Sequence, residues 1–150
     1  MHIYEAECSD AVKEQLIALS EQWEAEDSCR GYRANTEEDL DGRRIFLAEE
    51  NGMIQGYLFG QIRHAERTTT VMQEGTPYFE AEELYVIPSE RNKGTGKALF
   101  EYVREQVKNE AEVILLSTAT KNWRAVLHFY LENLNLEFWS ATLFSRLRRE

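Results

Sequence analysis

The sequence has little from which a cross-linked or membrane-spanning fold can be built. Cysteine occurs only at Cys8 and Cys29, with no Cys-x-x-Cys pair, which excludes a disulfide scaffold and fits two reduced thiols. No run approaches the ~18 consecutive apolar residues of a membrane span. The start, Met1-His2-Ile3-Tyr4-Glu5, lacks the basic-then-apolar order of a secretory leader. Repeats, low-complexity tracts and domain linkers are also missing. Positive charge is in deficit, with 17 Lys and Arg against 27 Asp and Glu and a net charge of −10. A surface of that sign repels a phosphate backbone and attracts cationic small molecules. His2, His64 and His128 show no ligand spacing with cysteine or acid, so no metal is expected. These absences point to a soluble, cytoplasmic protein with neither a nucleic-acid nor a membrane partner. What remains is 150 residues, 43% apolar and 29% charged, enough for one domain over 1–150 with a real core.

Residues 2–7 read as a first strand. Ser9 or Asp10 can cap a helix in which Val12, Leu16, Leu19 and Trp23 recur at helical steps. A polar stretch over 24–33 follows, then a short helix opened by Thr36 and stopped by Gly42. Residues 44–50 and 53–62 are apolar runs flanking Asn51-Gly52, a strong hairpin signal because both turn positions need positive φ. Gly56 and Gly60 in the second run predict a bulge or a close backbone approach. A long loop over 63–77 leads to a strand over 78–87, ending at Pro88. Leu99, Val103 and Val107 mark a helix over 96–109, and the apolar run 113–116 reads as a buried parallel strand completing a right-handed crossover. Asn122 can cap a further helix whose Val126, Tyr130 and Leu134 share a face, and 138–147 reads as a closing strand. Arg146, Arg148 and Arg149 read as a solvated tail.

The informative segment is Arg91-Asn92-Lys93-Gly94-Thr95-Gly96-Lys97, between a strand and a strongly patterned helix. Glycines there let the backbone bend and bring amides up to a ligand, while the helix dipole faces the same point, which suits a pyrophosphate. The plain alternative is a glycine-rich turn. Two phosphate loops fail on spacing. A Walker A loop needs glycine where Arg91 stands and Ser or Thr where Ala98 stands; the dinucleotide fingerprint needs glycine at Leu99.

The segment Arg91 to Gly96 resembles, at every defined position, the Arg/Gln-x-x-Gly-x-Gly/Ala loop of the GNAT superfamily of acyl-CoA-dependent N-acetyltransferases. Glu82-Glu83-Leu84-Tyr85-Val86-Ile87-Pro88 resembles the family's central strand. Asn122, Ala125, Phe129 and Tyr130 resemble its Asn-x-x-Ala-x-x-x-Phe-Tyr helix, so the likeness covers nearly the whole chain. The resemblance implies an α/β (α+β) fold: a mixed, mostly antiparallel sheet of six to seven strands, about four flanking helices, and fourth and fifth strands that splay apart. Acetyl-CoA is the implied cosubstrate. Its pantetheine arm would pair with the backbone at Leu84, Tyr85 and Val86, and its pyrophosphate would sit on amides around Lys93, Gly94 and Gly96. Arg91, Asn92, Thr95, Lys97 and Asn122 complete the implied cofactor site. One departure is the lack of a glycine between Asn133 and Phe138, where the family often has a glycine-aromatic step.

Acetyl transfer to an amine needs a base, because an alkylammonium of pKa near ~10 is not nucleophilic, and an acid for a departing thiolate of pKa near ~8.5. Strand alternation predicts that Glu82 and Glu83 lie on opposite faces. Glu82 lines up with the proton acceptor of spermidine/spermine-type acetyltransferases and Glu83 with the adjacent acid that holds the cationic substrate; Glu80 is a third candidate. Their bland reading is a solvated acidic strand face. A backbone amide near Val86 is the natural oxyanion donor. Tyr130 is the candidate acid, or else a packing residue. Asn122 bonds the pantetheine arm or caps its helix. The expected partner is a small, cationic primary amine, held by residues 24–33 and 63–77, with a homodimer possible by analogy. Rival readings are acetylation of a protein N-terminus or lysine, a non-catalytic acyl-CoA-binding module, and a cofactor-free scaffold.

Overall fold

Asn51 (φ 53°) and Gly52 (φ 76°) form the two-residue turn expected between β2 (Arg44–Glu50) and β3 (Met53–His64). A computed structural model, which describes residues 1–148, places this hairpin in the middle of a five-stranded sheet of order β1-β2-β3-β4-β5. β1 (His2–Ala6), β2, β3 and β4 (Pro77–Val86) are antiparallel neighbours; β5 (Val113–Leu115) runs parallel to β4. The helices are α1 (Asp10–Glu26), α2 (Glu37–Leu40), α3 (Thr95–Val107) and α4 (Trp123–Leu127). A 3-10 turn (Pro88–Glu90) joins β4 to the glycine loop. None of these helices is long and apolar enough to cross a membrane among the described residues.

Alternation along the strands builds two cores. Phe46, Leu58 and Phe79 pack with Leu99, Phe100 and Val103 of α3, while Ile45, Leu47, Tyr57 and Tyr85 pack on the other face with Leu16 of α1 and Leu40 of α2. α1 starts where Ser9 Oγ accepts the Val12 N–H at 3.2 Å and ends at Asp27, in the left-handed region at φ 51°. The sheet's central strands are therefore covered on both sides, which fixes the backbone that carries the site.

Both glycines of β3 mark irregular pairing, as expected. Ala48 pairs with Gly56 and Glu49 with Ile54, leaving Gln55 as an extra residue. Phe59 pairs with Glu83 and Gly60 with Ala81, leaving Glu82 as the extra residue on β4. A β-carbon on Gly56 would lie 2.7 Å from Tyr85 O, and one on Gly60 only 2.1 Å from Glu80 O, so the backbones close to a distance only glycine permits.

Several expectations need correction. The sheet has five strands, not six to seven, because residues 138–147 pair with no strand among the described residues and project their large side chains into solvent. Arg149 lies outside the described residues. The strand over 113–116 is parallel but only half-buried. The expected helix beyond Asn122 changes pitch: α4 gives way to a π-helical segment (His128–Asn133), in which the Leu134 N–H bonds Phe129 O, five residues back, at 3.0 Å. The splay of the fourth and fifth strands is present. Pairing ends after Tyr78, Phe79 and Glu80 meet Val113, Ile114 and Leu115, and the rest of β4 has an open edge.

Candidate active site

The bulge at Glu82 decides the site. An extra residue in one strand breaks the strict alternation of side chains, so Glu82 and Glu83, expected on opposite faces, both line one cleft of about 340 Å³ with Tyr32, Arg33, Asn35, Asp39, Arg43 and Phe59. A second cleft, of about 250 Å³, opens in the split between β4 and β5 and is lined by Glu80, Ala81, Glu82, Leu115, Leu116 and Ser117. Glu82 lines both clefts. Beyond the split, residues 28–30 lie across 119–121: Arg30 N bonds Ala119 O at 2.9 Å and Lys121 N bonds Ser28 O at 2.8 Å.

The two carboxylates have different surroundings. Glu82 accepts from Arg43 Nε at 2.7 Å through Oε2 and from Gln61 Nε2 at 2.8 Å through Oε1. It is neutralised in place. Glu83 has no cationic partner among the described residues. Tyr32 Oη (3.0 Å), Asn35 Nδ2 (2.9 Å) and Tyr57 Oη (2.9 Å) all donate to its Oε1. Oε2 receives no hydrogen bond from the described residues. Burial pushes the Glu83 carboxyl above the ordinary glutamate value, and the three donors offset only part of that rise. Tyr57 is fully buried, and both burial and the Glu83 charge push its phenol up, so it stays a donor at neutral pH. Arg33 binds Asp39 through both terminal nitrogens, at 3.0 and 3.2 Å, and holds that carboxyl down at about 2.

The segment after β4 presents its backbone. Asn92 (φ 62°) and Gly94 (φ 86°) adopt the left-handed conformation, and Gly94 caps α3. The backbone N–H groups of residues 92–97 make no hydrogen bond to other described residues, so a run of consecutive donors stands unpaired at a helix start. A β-carbon on Gly96 would meet Phe129 Cζ at 3.4 Å and Val86 Cγ2 at 3.6 Å, which ties the loop to the end of β4 and to the π-helical segment. Lys93 lies 3.5 Å from Glu90. The open edge of β4 supplies further backbone groups. The Ile87 N–H bonds Gln55 O at 2.9 Å on the β3 side; alternation then turns the N–H groups of Val86 and Leu84 toward the split. The side chain of Tyr85 points to the other face, where its hydroxyl bonds Glu26 at 2.7 Å.

Three expected site residues are placed differently from the rest. Arg91 is exposed but engaged by protein groups, with Nε on Val86 O at 2.8 Å and its terminal nitrogens on Glu26 at 2.7 and 3.0 Å, so it braces the end of β4 against α1. Asn122 precedes α4 but makes no side-chain capping bond. Tyr130 lies edge-on to Phe100 and Phe129 at 6.0 and 5.0 Å, and burial pushes its phenol up to about 12. Of the two stretches expected to form the acceptor pocket, 63–77 contributes no residue to either cleft, whereas Gly31, Tyr32 and Arg33 of 24–33 line the larger one, joined by Asn35, Asp39 and Arg43. Tyr32, Asn35, Arg43 and Tyr57 were not individually legible as site residues. Tyr57 reads as ordinary core, and the others sit in polar sequence whose only signal is an aromatic residue beside Gly31.

The sequence model of the acetyltransferase (GNAT) domain matches residues 41–133. That is more than half of the chain, which therefore belongs to the GNAT acetyltransferase family. No curated protein sequence matches it. Among solved structures, the aminoglycoside acetyltransferase AAC(6')-Iy in complex with a bisubstrate analogue, CoA-S-monomethyl-acetylneamine, has a TM-score of 0.70 at 21% identity, covering 99% of this chain and 100% of that one. An aminoglycoside acetyltransferase from an uncultured soil metagenomic sample, in complex with sisomicin, has a TM-score of 0.67 at 19% identity over 98% and 96%. The aminoglycoside 6'-N-acetyltransferase AAC(6')-IG of Acinetobacter haemolyticus, without ligand, has a TM-score of 0.66 at 16% identity over 100% of both chains.

Proposed function

We propose that this protein transfers an acetyl group from acetyl-CoA to a primary amine of a small cationic acceptor, with Glu83 as the proton acceptor. The observation that carries this reading is Glu83 itself: a carboxylate with a raised pKa, its Oε1 fixed by three donors and its Oε2 left open on the cleft. The residues fit the cofactor on their own geometry. Unpaired amides over 92–97 suit a diphosphate, and the open edge of β4 suits an amide-bearing arm lying alongside it like an added strand. When bound there, acetyl-CoA supplies an activated acetyl thioester.

The remaining work falls to the chain. Glu83 Oε2 holds the acceptor's ammonium and takes its proton. The Val86 N–H, on the split side of β4, would be the donor that stabilises charge developing on the acetyl oxygen. Tyr130 keeps its proton at neutral pH and is assigned as donor to the departing sulfur. In balance, an N–C bond forms and the C–S bond breaks; of the two protons the ammonium nitrogen gives up, one passes to Glu83 and the other, through solvent, restores the Tyr130 phenol that has protonated the sulfur. Arg43 on Glu82 and Arg33 on Asp39 leave Glu83 as the cleft's one acid without a cationic partner among the described residues. The cleft therefore accepts a single ammonium at its base. The aminoglycoside complexes of the similar structures support an amino-sugar-like acceptor.

Purified protein with acetyl-CoA and a panel of amino sugars, polyamines, amino acids and peptides tests the reading by thiol release. Turnover with amino sugars or polyamines is expected. Saturable CoA binding with no thiol released across the panel would instead identify a non-catalytic CoA-binding protein.

A pH profile checks the role of Glu83. As a base, Glu83 works only when ionised, so kcat/KM falls as pH drops through its raised pKa. The Tyr57 hydroxyl stabilises the ionised form; Tyr57→Phe removes that bond, and the acid limb is expected to move to higher pH with the alkaline side unchanged. A limb that stays in place would show that another group sets it.

A further inference from the structure

We infer, on the reading that CoA binds at residues 92–97, that Glu26 at the end of α1 is a positioning residue for the cofactor. Through Arg91 it holds the unpaired amides of that loop in place, and Arg91 itself does not bind phosphate. Among the described residues, the Arg91 side chain makes the only hydrogen bonds from residues 88–97 to α1 or β4. The other bonds of the segment are local, such as Glu90 N to Ile87 O at 2.9 Å and Arg91 N to Pro88 O at 3.3 Å. A loop that keeps its amides free for a ligand has few bonds of its own, so its position must be fixed from outside.

Arg91 is committed on several sides. Its Nε meets Val86 O at 2.8 Å, its terminal nitrogens meet the two oxygens of Glu26 at 2.7 and 3.0 Å, and the cation lies 5.4 Å from the centre of the Tyr85 ring. Glu26 is fixed in turn. Its Oε2 also accepts the Tyr85 hydroxyl at 2.7 Å, and the buried Tyr85 ring stacks on Trp23 of α1 at 5.2 Å. Burial alone would raise the Glu26 carboxyl, but its bonds to Arg91 and Tyr85 bring it below the ordinary glutamate value, so it stays ionised at neutral pH. The place is a costly one for an acid. A helix C-terminus carries partial negative charge, and the last turn of α1 has no base to offset Glu26. The guanidinium of Arg91 supplies that cation from across the fold.

The sign of one substitution separates a brace from a plain charge. CoA carries negative phosphates, so deleting a nearby acid tightens binding if Glu26 acts only through its field, or if a freed Arg91 grips phosphate. As a brace, Glu26→Gln weakens binding, because Gln offers one oxygen to a fork that needs two. Calorimetry with CoA is expected to show about a tenfold loss of affinity for Glu26→Gln, the size of a lost charge-assisted bond. Arg91→Lys keeps the charge but not the fork and is expected to lose about as much, with the double variant no worse than either alone. Glu90→Gln removes an acid 3.5 Å from Lys93 without touching the fork, and as the charge control it is expected to tighten binding. Melting curves show whether each variant folds; if Glu26→Gln does not, Tyr85→Phe decides, with a smaller loss of affinity expected. Unchanged or tighter binding by the deciding variant, an Arg91→Lys chain that binds like the unsubstituted one, or equal losses in Glu26→Gln and Glu90→Gln would overturn the inference and leave the cofactor reading intact. An unsubstituted chain that binds no CoA would overturn both.

Discussion

Replacing Glu83 by Gln is expected to lower the acetyl-transfer rate by about 10²–10⁴-fold, the range typical of a lost general base, while leaving CoA binding intact. The substitution keeps an oxygen where Tyr32, Asn35 and Tyr57 converge, so the local packing survives. What it removes is the unoccupied Oε2 and its negative charge. An amine can then neither be held as ammonium nor be deprotonated at that point. Taking out a charge held in a partly desolvated site does not weaken the fold, because the desolvation that raises the Glu83 pKa penalises the ionised form. Parallel kinetics and melting curves check both halves. Full activity in the Gln variant would move the base elsewhere, and Glu82 would be the first place to look.

The second large effect concerns the backbone that makes the site. Gly60→Ala places a methyl group 2.1 Å from Glu80 O and 2.8 Å from Phe79 Cζ. A carbonyl in a paired strand and a ring in the core cannot yield cheaply, so the variant is expected to lose about 3 kcal/mol. For a chain of this size that is a fall in Tm of roughly 6–12 °C. Activity should fall further than stability explains, because Gly60 sits at the register shift that holds Glu82 and Glu83 on one cleft. Gly94→Ala serves as a comparison: nothing lies within 4 Å of its β-carbon, so only the strain of a positive φ is added, about 1 kcal/mol. Equal melting temperatures for the two variants would contradict the close approach at Gly60.

Much of this was readable from residues alone, where one local rule decides the outcome. Asn51-Gly52 admits hardly any structure other than a tight hairpin turn, and Leu99, Val103 and Val107 repeat too regularly to be anything but a helix face. Gly94 and Gly96 between a strand and a helix start likewise fix a tight turn there, with Gly94 at φ 86°. The site was legible only in part, since Glu82 and Glu83 could be named but not oriented. Their placement depends on an extra residue in β4, a register effect between two strands that no single segment encodes. Tyr57 is similar: its ring obeys the alternation of β3, yet its hydroxyl matters only because Glu83 is bulged toward it. Residues 138–147 show the opposite case. Their pattern is strand-like, but a strand needs an edge, and the described chain leaves its open β5 edge unmatched.

The most direct test of amine acetylation uses acetyl-CoA labelled with ¹³C at the acetyl carbonyl, followed by NMR in the presence of the full chain and an amino sugar. The account predicts that the thioester signal falls as an amide signal on the acceptor rises in equal amount, with no label left on the protein. A persistent thioester, or label that gathers on Cys29 or a lysine of the chain instead of the acceptor, would contradict it.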